Sequence, residues 1–162
     1  MFIDKIIGFQ EGYIKSSQMF FSEQLNLAIL LLLYLIVISV TDIKSMKIYT
    51  EVSMAFVVIR LFLAIWYPIS WSNIGGAVFL TAFVFIIAFI TYTNMGGDIK
   101  AMLPIGLFLG FSNSVVFLAG SICILLLVGI VVYLATKDKK KEIPFAPILL
   151  ASYLIMALIN FI

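Results

Sequence analysis

Asn94-Met95-Gly96-Gly97-Asp98-Ile99-Lys100 joins two long apolar runs. It sets a carboxylate and an ammonium at the edge of apolar sequence, on a backbone loosened by two glycines. Upstream, the run from Ile74 to Tyr92 is nearly free of polar side chains; downstream, a shorter run reaches Phe111 and contains Pro104, Gly106 and Gly110. Further out lie apolar runs over about Leu25–Thr41, Glu51–Tyr67, Val115–Ala135 and Ile143–Ile162. The pattern predicts an all-α polytopic membrane protein of six transmembrane helices.

Composition points the same way. The 162 residues are 64% apolar and 11% charged, with a mean hydropathy of +1.23. Soluble domains carry about a quarter charged residues. A bilayer can solvate this much apolar surface, and helices satisfy their own backbone within it. A β-barrel would alternate polar and apolar residues instead of running unbroken. A net charge of +2 gives no footprint for nucleic acid. There is no histidine, and the one cysteine, Cys123, lies in an apolar run. These absences exclude zinc-protease motifs, Ser-His-Asp triads and CxxC metal sites.

Residues 1–24 mix charges with Phe2, Ile6, Phe9, Tyr13 and Phe20 at roughly helical spacing, which predicts an interfacial amphipathic segment. No small-residue cleavage site follows it, so it does not read as a signal peptide. Residues 25–162 form the six-helix domain, with Ser112-Asn113-Ser114 breaking the fourth span from the fifth. If the spans alternate, the loops after the first, third and fifth hold Lys44, Lys47, Lys100, Lys137, Lys139, Lys140 and Lys141, while the other two loops hold no Lys or Arg. The positive-inside rule then puts the lysine-bearing loops in the cytoplasm and both termini outside.

Asp42 ends the first span and Asp98 begins the fourth. Two crossings separate them, so both reach the cytoplasmic face at similar depth. A lone ionised carboxylate beside apolar helix is costly. Two together can share one proton and titrate as a pair. One member can then take a proton from water while the other donates to a carbonyl oxygen. A solvated helix cap is the plainer role for either alone. Gly96 and Gly97 would let an extended substrate strand approach Asp98, or simply start a helix. Lys100 would tune the acid or anchor to lipid phosphate, as would the lysines of 137–141. Arg60 lies about seven residues, ~10 Å, from the outer end of its span, within snorkelling reach; a buried structural pair or a substrate contact is the other reading. Pro104 should kink the fourth span.

Gly96-Gly97-Asp98-Ile99-Lys100 entering a membrane helix resembles the G-x-G-D-x-K motif of the type IV prepilin peptidases. Asp42 with Lys47-Ile48 downstream resembles that family's first aspartate and its Ile-Pro-Asn. Ile105 to Gly110 resembles its continuation after the second aspartate, and Lys140 to Pro147 its Ile-Pro-Phe-Gly-Pro entry to the last helix. The ordered set covers residues 42–147. Three positions depart: Met95 stands for the first motif glycine, Tyr49 for the proline, and Ala146 for the glycine.

The resemblance implies a membrane aspartic endopeptidase of the G-x-G-D type, with Asp42 and Asp98 as the catalytic pair and Gly96, Gly97 and Lys100 in the substrate-binding loop. It implies a substrate like a type IV prepilin, cut at a short basic leader on the cytoplasmic face. Without paired CxxC motifs the chain resembles the short members, as in tight-adherence or archaeal systems. Those trim without N-methylation and need neither S-adenosylmethionine nor metal. A small proton-coupled transporter or channel, or an inactive assembly subunit of a pilus or secretion system, are the competing functions.

Overall fold

The computed structural model describes residues 8, 11–13, 20–21, 24–92, 96–137 and 144–161. Asn94 and Met95, and the lysines at 139–141, lie outside these residues. All regular structure described is helical. The elements are α1 (Leu25–Ser45), α2 (Thr50–Leu63), α3 (Trp71–Thr91), α4 (Gly96–Thr136) and α5 (Ala146–Phe161).

The helix ends follow local chemistry. α1 stops where Met46 turns left-handed at φ 51° and returns its N–H to Asp42 O at 2.8 Å. α2 gives way to turns ahead of Pro68, which disfavours helix in the residue before it. α3 opens on Ser70, whose N–H and hydroxyl both reach Asn73 Oδ1, at 3.0 and 2.7 Å. It closes at Tyr92, also left-handed at φ 51°.

α4 is broken at Gly110, where φ 74° and ψ 171° leave helical space. A left-handed φ is tolerated there because no Cβ opposes it. The fourth and fifth predicted spans are therefore halves of one element, 96–109 and 111–136. Ser112, Asn113 and Ser114, expected as the break, are helical. The break falls two residues earlier because the groups it frees have partners there. Leu107 O accepts Arg60 Nε at 3.3 Å and Asn73 Nδ2 at 3.0 Å. Phe111 N–H goes to Ser72 Oγ at 3.0 Å, and Leu109 O accepts Asn113 Nδ2 at 3.0 Å. In hydrocarbon, each such group left unpaired costs several kcal/mol.

Arg60 does not snorkel. It is 1% exposed, its Nη1 donates to Tyr67 O at 2.9 Å, and its guanidinium lies 5.8 Å from the Phe108 ring centroid. The reading of a buried structural contact is the one observed, with backbone carbonyls in place of a carboxylate. Seven residues up α2 are enough to reach the surface, but Leu107 O, freed by the Gly110 break, and Tyr67 O, in the turns after α2, hold the guanidinium inside.

α3 and the first half of α4 meet backbone to backbone. A Cβ on Gly106 would stand 2.4 Å from Ala77 Cα, and one on Gly76 would stand 2.7 Å from the Gly110 carbonyl carbon. Only glycine fits such an approach, as in other small-residue membrane interfaces. α5 is tied to α1 by Tyr153 OH donating to Ala28 O at 2.8 Å, and to the second half of α4 by Ser152 Oγ donating to Phe117 O at 3.0 Å. Phe20 and Phe21 join the same core, with the Phe21 ring 5.7 Å from Tyr153.

The outside is apolar too. Leu33 on α1, Phe89 on α3, Leu134 on α4 and Ile159 on α5 are all exposed. α1, α3 and α4 are long and apolar enough to cross a membrane. The chain is a membrane protein whose exposed faces suit lipid.

Candidate active site

Four helix ends converge at one end of the bundle: the last turn of α1 and the first turns of α2, α4 and α5. Asp42 sits in that last turn of α1 and is 6% exposed. The end of a helix is a poor place for a carboxylate, because the peptide dipoles present their negative pole there. The first residue of α5 offsets this: Ala146 N–H donates to Asp42 Oδ2 at 2.9 Å. The positive N-terminus of α5 thus faces the carboxylate.

Asp98 occupies the first turn of α4, where the dipole favours an acidic side chain. It is partly buried and feels the charge of Asp42. The two acids expected to meet across two crossings are therefore brought within electrostatic reach.

The loops that carry them are packed against each other. A Cβ on Gly97 would lie 3.0 Å from Ile48 O and 3.3 Å from Ile48 Cβ. Gly97 thus serves close approach of the stretch after Asp42 to the stretch before Asp98. Gly96 is exposed and begins α4. Lys100 Nζ donates to Thr50 Oγ1 at 3.2 Å, bridging the starts of α4 and α2.

Tyr34 and Ser53 are further contributors that motif comparison alone missed. Tyr34 OH donates to Ala101 O at 3.2 Å and meets Ser53 Oγ at 3.0 Å; all three residues are buried. Because the phenol proton goes to Ala101, the serine hydroxyl donates to the phenol oxygen. Ala101 lies one turn beyond Asp98, beside the turn where Pro104 has no N–H to return to Lys100 O. Tyr34 thus holds α1, α2 and the Asp98 turn together where the helix is weakest. The signal was present: Tyr34, Ile38 and Asp42 recur every four residues on one face of α1. Ala146 acts through its backbone, so no side-chain pattern could have marked it.

Among the described residues, no three His, Cys, Asp or Glu side chains stand close enough to hold a metal ion. The site is two acids with an amide donor and two supporting hydroxyls, in a helical membrane protein. A sequence model of the type IV leader peptidase family matches residues 29–161. The chain belongs to that family, and is a peptidase of prepilin type. No curated protein and no solved structure matches it.

Proposed function

We propose that the chain is a membrane-embedded aspartic endopeptidase that trims the short basic leader of type-IV-pilin-like precursors, with Asp42 and Asp98 sharing the work of activating water. The observation that carries this reading is Asp42, buried and anchored on the N-terminus of α5, within reach of the charge on Asp98. In this scheme Asp42 is the ionised member, since an amide at a helix N-terminus is matched to an anion. Asp98 carries the shared proton.

Water adds to the scissile carbonyl, giving its proton to Asp42, while Asp98 protonates the carbonyl oxygen. The tetrahedral diol then collapses. The C–N bond breaks, Asp42 passes its proton to the leaving amine, and a diol hydroxyl returns one to Asp98. The reading is trimming alone, as in the short members that the chain resembles.

Six spans fit the same reading: α1, α2, α3, both halves of α4, and α5. α2 and 96–109 are each about 21 Å long at ~1.5 Å per residue, short of the ~30 Å hydrocarbon layer. Residues 1–24 would then precede the membrane domain of 25–162 as an interfacial segment. The lysines at the Asp98 end, Lys44, Lys47 and Lys100, favour the cytoplasm for that end and the outside for both termini.

Co-expression with a precursor bearing such a leader should give a shorter product with a new N-terminus. If Asp42→Ala and Asp98→Ala proteins both still trim it, the mechanism is wrong.

A further inference from the structure

α3 and the first half of α4 touch at Gly76, Ala77 and Gly106, closer than a side chain permits. Between them opens a cleft of about 310 Å³, walled by Val78, Thr81, Ala82 and Phe85 of α3 and by Ile99 and Leu103 of α4. It begins at the Ala77 contact and ends at Ile99, the residue next to Asp98. The cleft thus runs along both helices between that contact and the turn that carries the acid.

Its wall holds one buried hydroxyl. Thr91, further along α3, folds its Oγ1 back on Ile87 O at 2.8 Å. Thr81 Oγ1 is buried and, like Ser39 Oγ on α1 and Ser114 Oγ on α4, has no partner among the described residues. An unpaired buried hydroxyl costs about 1–3 kcal/mol.

We infer that this cleft seats the apolar segment of the substrate immediately beyond the bond that is cut. The inference rests on the peptidase reading and adds where the rest of the substrate lies. The scissile bond must reach Asp98, and the prepilin-like substrate that the resemblance implies continues beyond the cut as an apolar helix lying in the membrane. The cleft leads from Asp98 into the membrane along one helical turn, from Ile99 to Leu103. Its lining is apolar, as the segment is. A lipid acyl chain would match that polarity but offers nothing to Thr81, whereas a polypeptide brings donors and acceptors. Ala82, small and exposed, leaves room for a helix to approach α3 closely.

The test uses the full chain in phosphatidylcholine–phosphatidylglycerol vesicles. The probe is a synthetic peptide: a short basic leader ending in Gly, then an apolar helix of ~20 residues carrying a benzophenone in its first two turns. With Asp98→Asn protein, which keeps the probe intact, irradiation should label residues 78–85 of α3. Ala82→Phe, which fills the cleft, should remove that label and raise KM for the same peptide by roughly tenfold. Thr81→Val, of equal size, should raise KM a few-fold. Ile130→Phe, on the exposed face of the second half of α4, should change neither.

Label spread evenly over the exposed helices, label on lipid alone, or an unchanged KM in Ala82→Phe would each overturn the inference. If wild-type protein fails to cut the peptide, the peptidase reading falls. Labelling still decides the cleft, because it needs no cleavage.

Discussion

Asp42 Oδ2 accepts the backbone N–H of Ala146 at 2.9 Å, joining positions 104 residues apart. The bond makes the end of α1 and the start of α5 one unit and fixes the carboxylate through one oxygen; among the described residues the other oxygen has no hydrogen-bond donor. Ala146→Pro suits the first turn of a helix but deletes this N–H. A hydrogen bond to a charged group is worth about 1.5–3 kcal/mol, so kcat should fall by at least about tenfold. Ala146→Gly, which keeps the N–H, should retain activity. Paired kinetics on the two variants check this.

Gly97 is a spacing residue. A methyl there meets Ile48 O at 3.0 Å, so the loop must give way. Gly97→Ala should lower stability by about 1–2 kcal/mol and reduce cleavage; Gly97→Val should do both more severely. Gly75→Ala is the control, because its Cβ would meet the Phe111 side chain at 3.7 Å, an ordinary contact. Thermal unfolding in detergent, with cleavage rates, separates them.

Tyr34 clamps the turn after Asp98 through Ala101 O and Ser53. Tyr34→Phe keeps the ring and its 4.9 Å packing on Phe56 but removes both bonds. The loss should be about 1–3 kcal/mol. Because Asp98 lies one turn away, kcat should fall while KM for the precursor holds. Ser53→Ala should show the same split with a smaller change.

Arg60 holds the broken end of the 96–109 helix by donating to Leu107 O and Tyr67 O. Arg60→Met keeps the bulk but leaves Tyr67 O without its side-chain donor and Leu107 O with Asn73 alone. It should cost about 2–4 kcal/mol. Arg60→Lys should recover little of that, since an ammonium lacks the planar fork that reaches both. Melting temperatures of the three proteins in one detergent test the difference.

Much of this was legible in the sequence, for reasons that differ by residue. Apolar runs mark bilayer helices because nothing else solvates them, so α1 and α3 were readable by length alone. Asp42 and Asp98 were readable because acids at such boundaries are costly and few. What escaped depends on contacts between distant segments. Arg60 was expected to snorkel because only about seven residues separate it from the outer end of its span, yet Leu107 O, freed at Gly110, and Tyr67 O hold it inside. Ser112 to Ser114 were expected as the break because polar residues end apolar runs; the hydroxyl of Ser72 and the amide of Asn73, nearly forty residues earlier in sequence, shift it to Gly110. Gly76 and Gly106 say only that helices pack closely, not which pair does.

The central claim is that Asp42 and Asp98 act together on water. The most direct measurement is kcat of Asp42→Asn, Asp98→Asn and the double variant on one leader-bearing precursor, in vesicles, with precursor binding followed by crosslinking. Asparagine keeps the size and a hydrogen-bond acceptor for Ala146 while removing the titrating group. Each single change should lower kcat by about a thousandfold or more, the double should be little worse than either, and binding should persist. A kcat within tenfold of wild type for either single variant, with binding intact, would contradict the dyad.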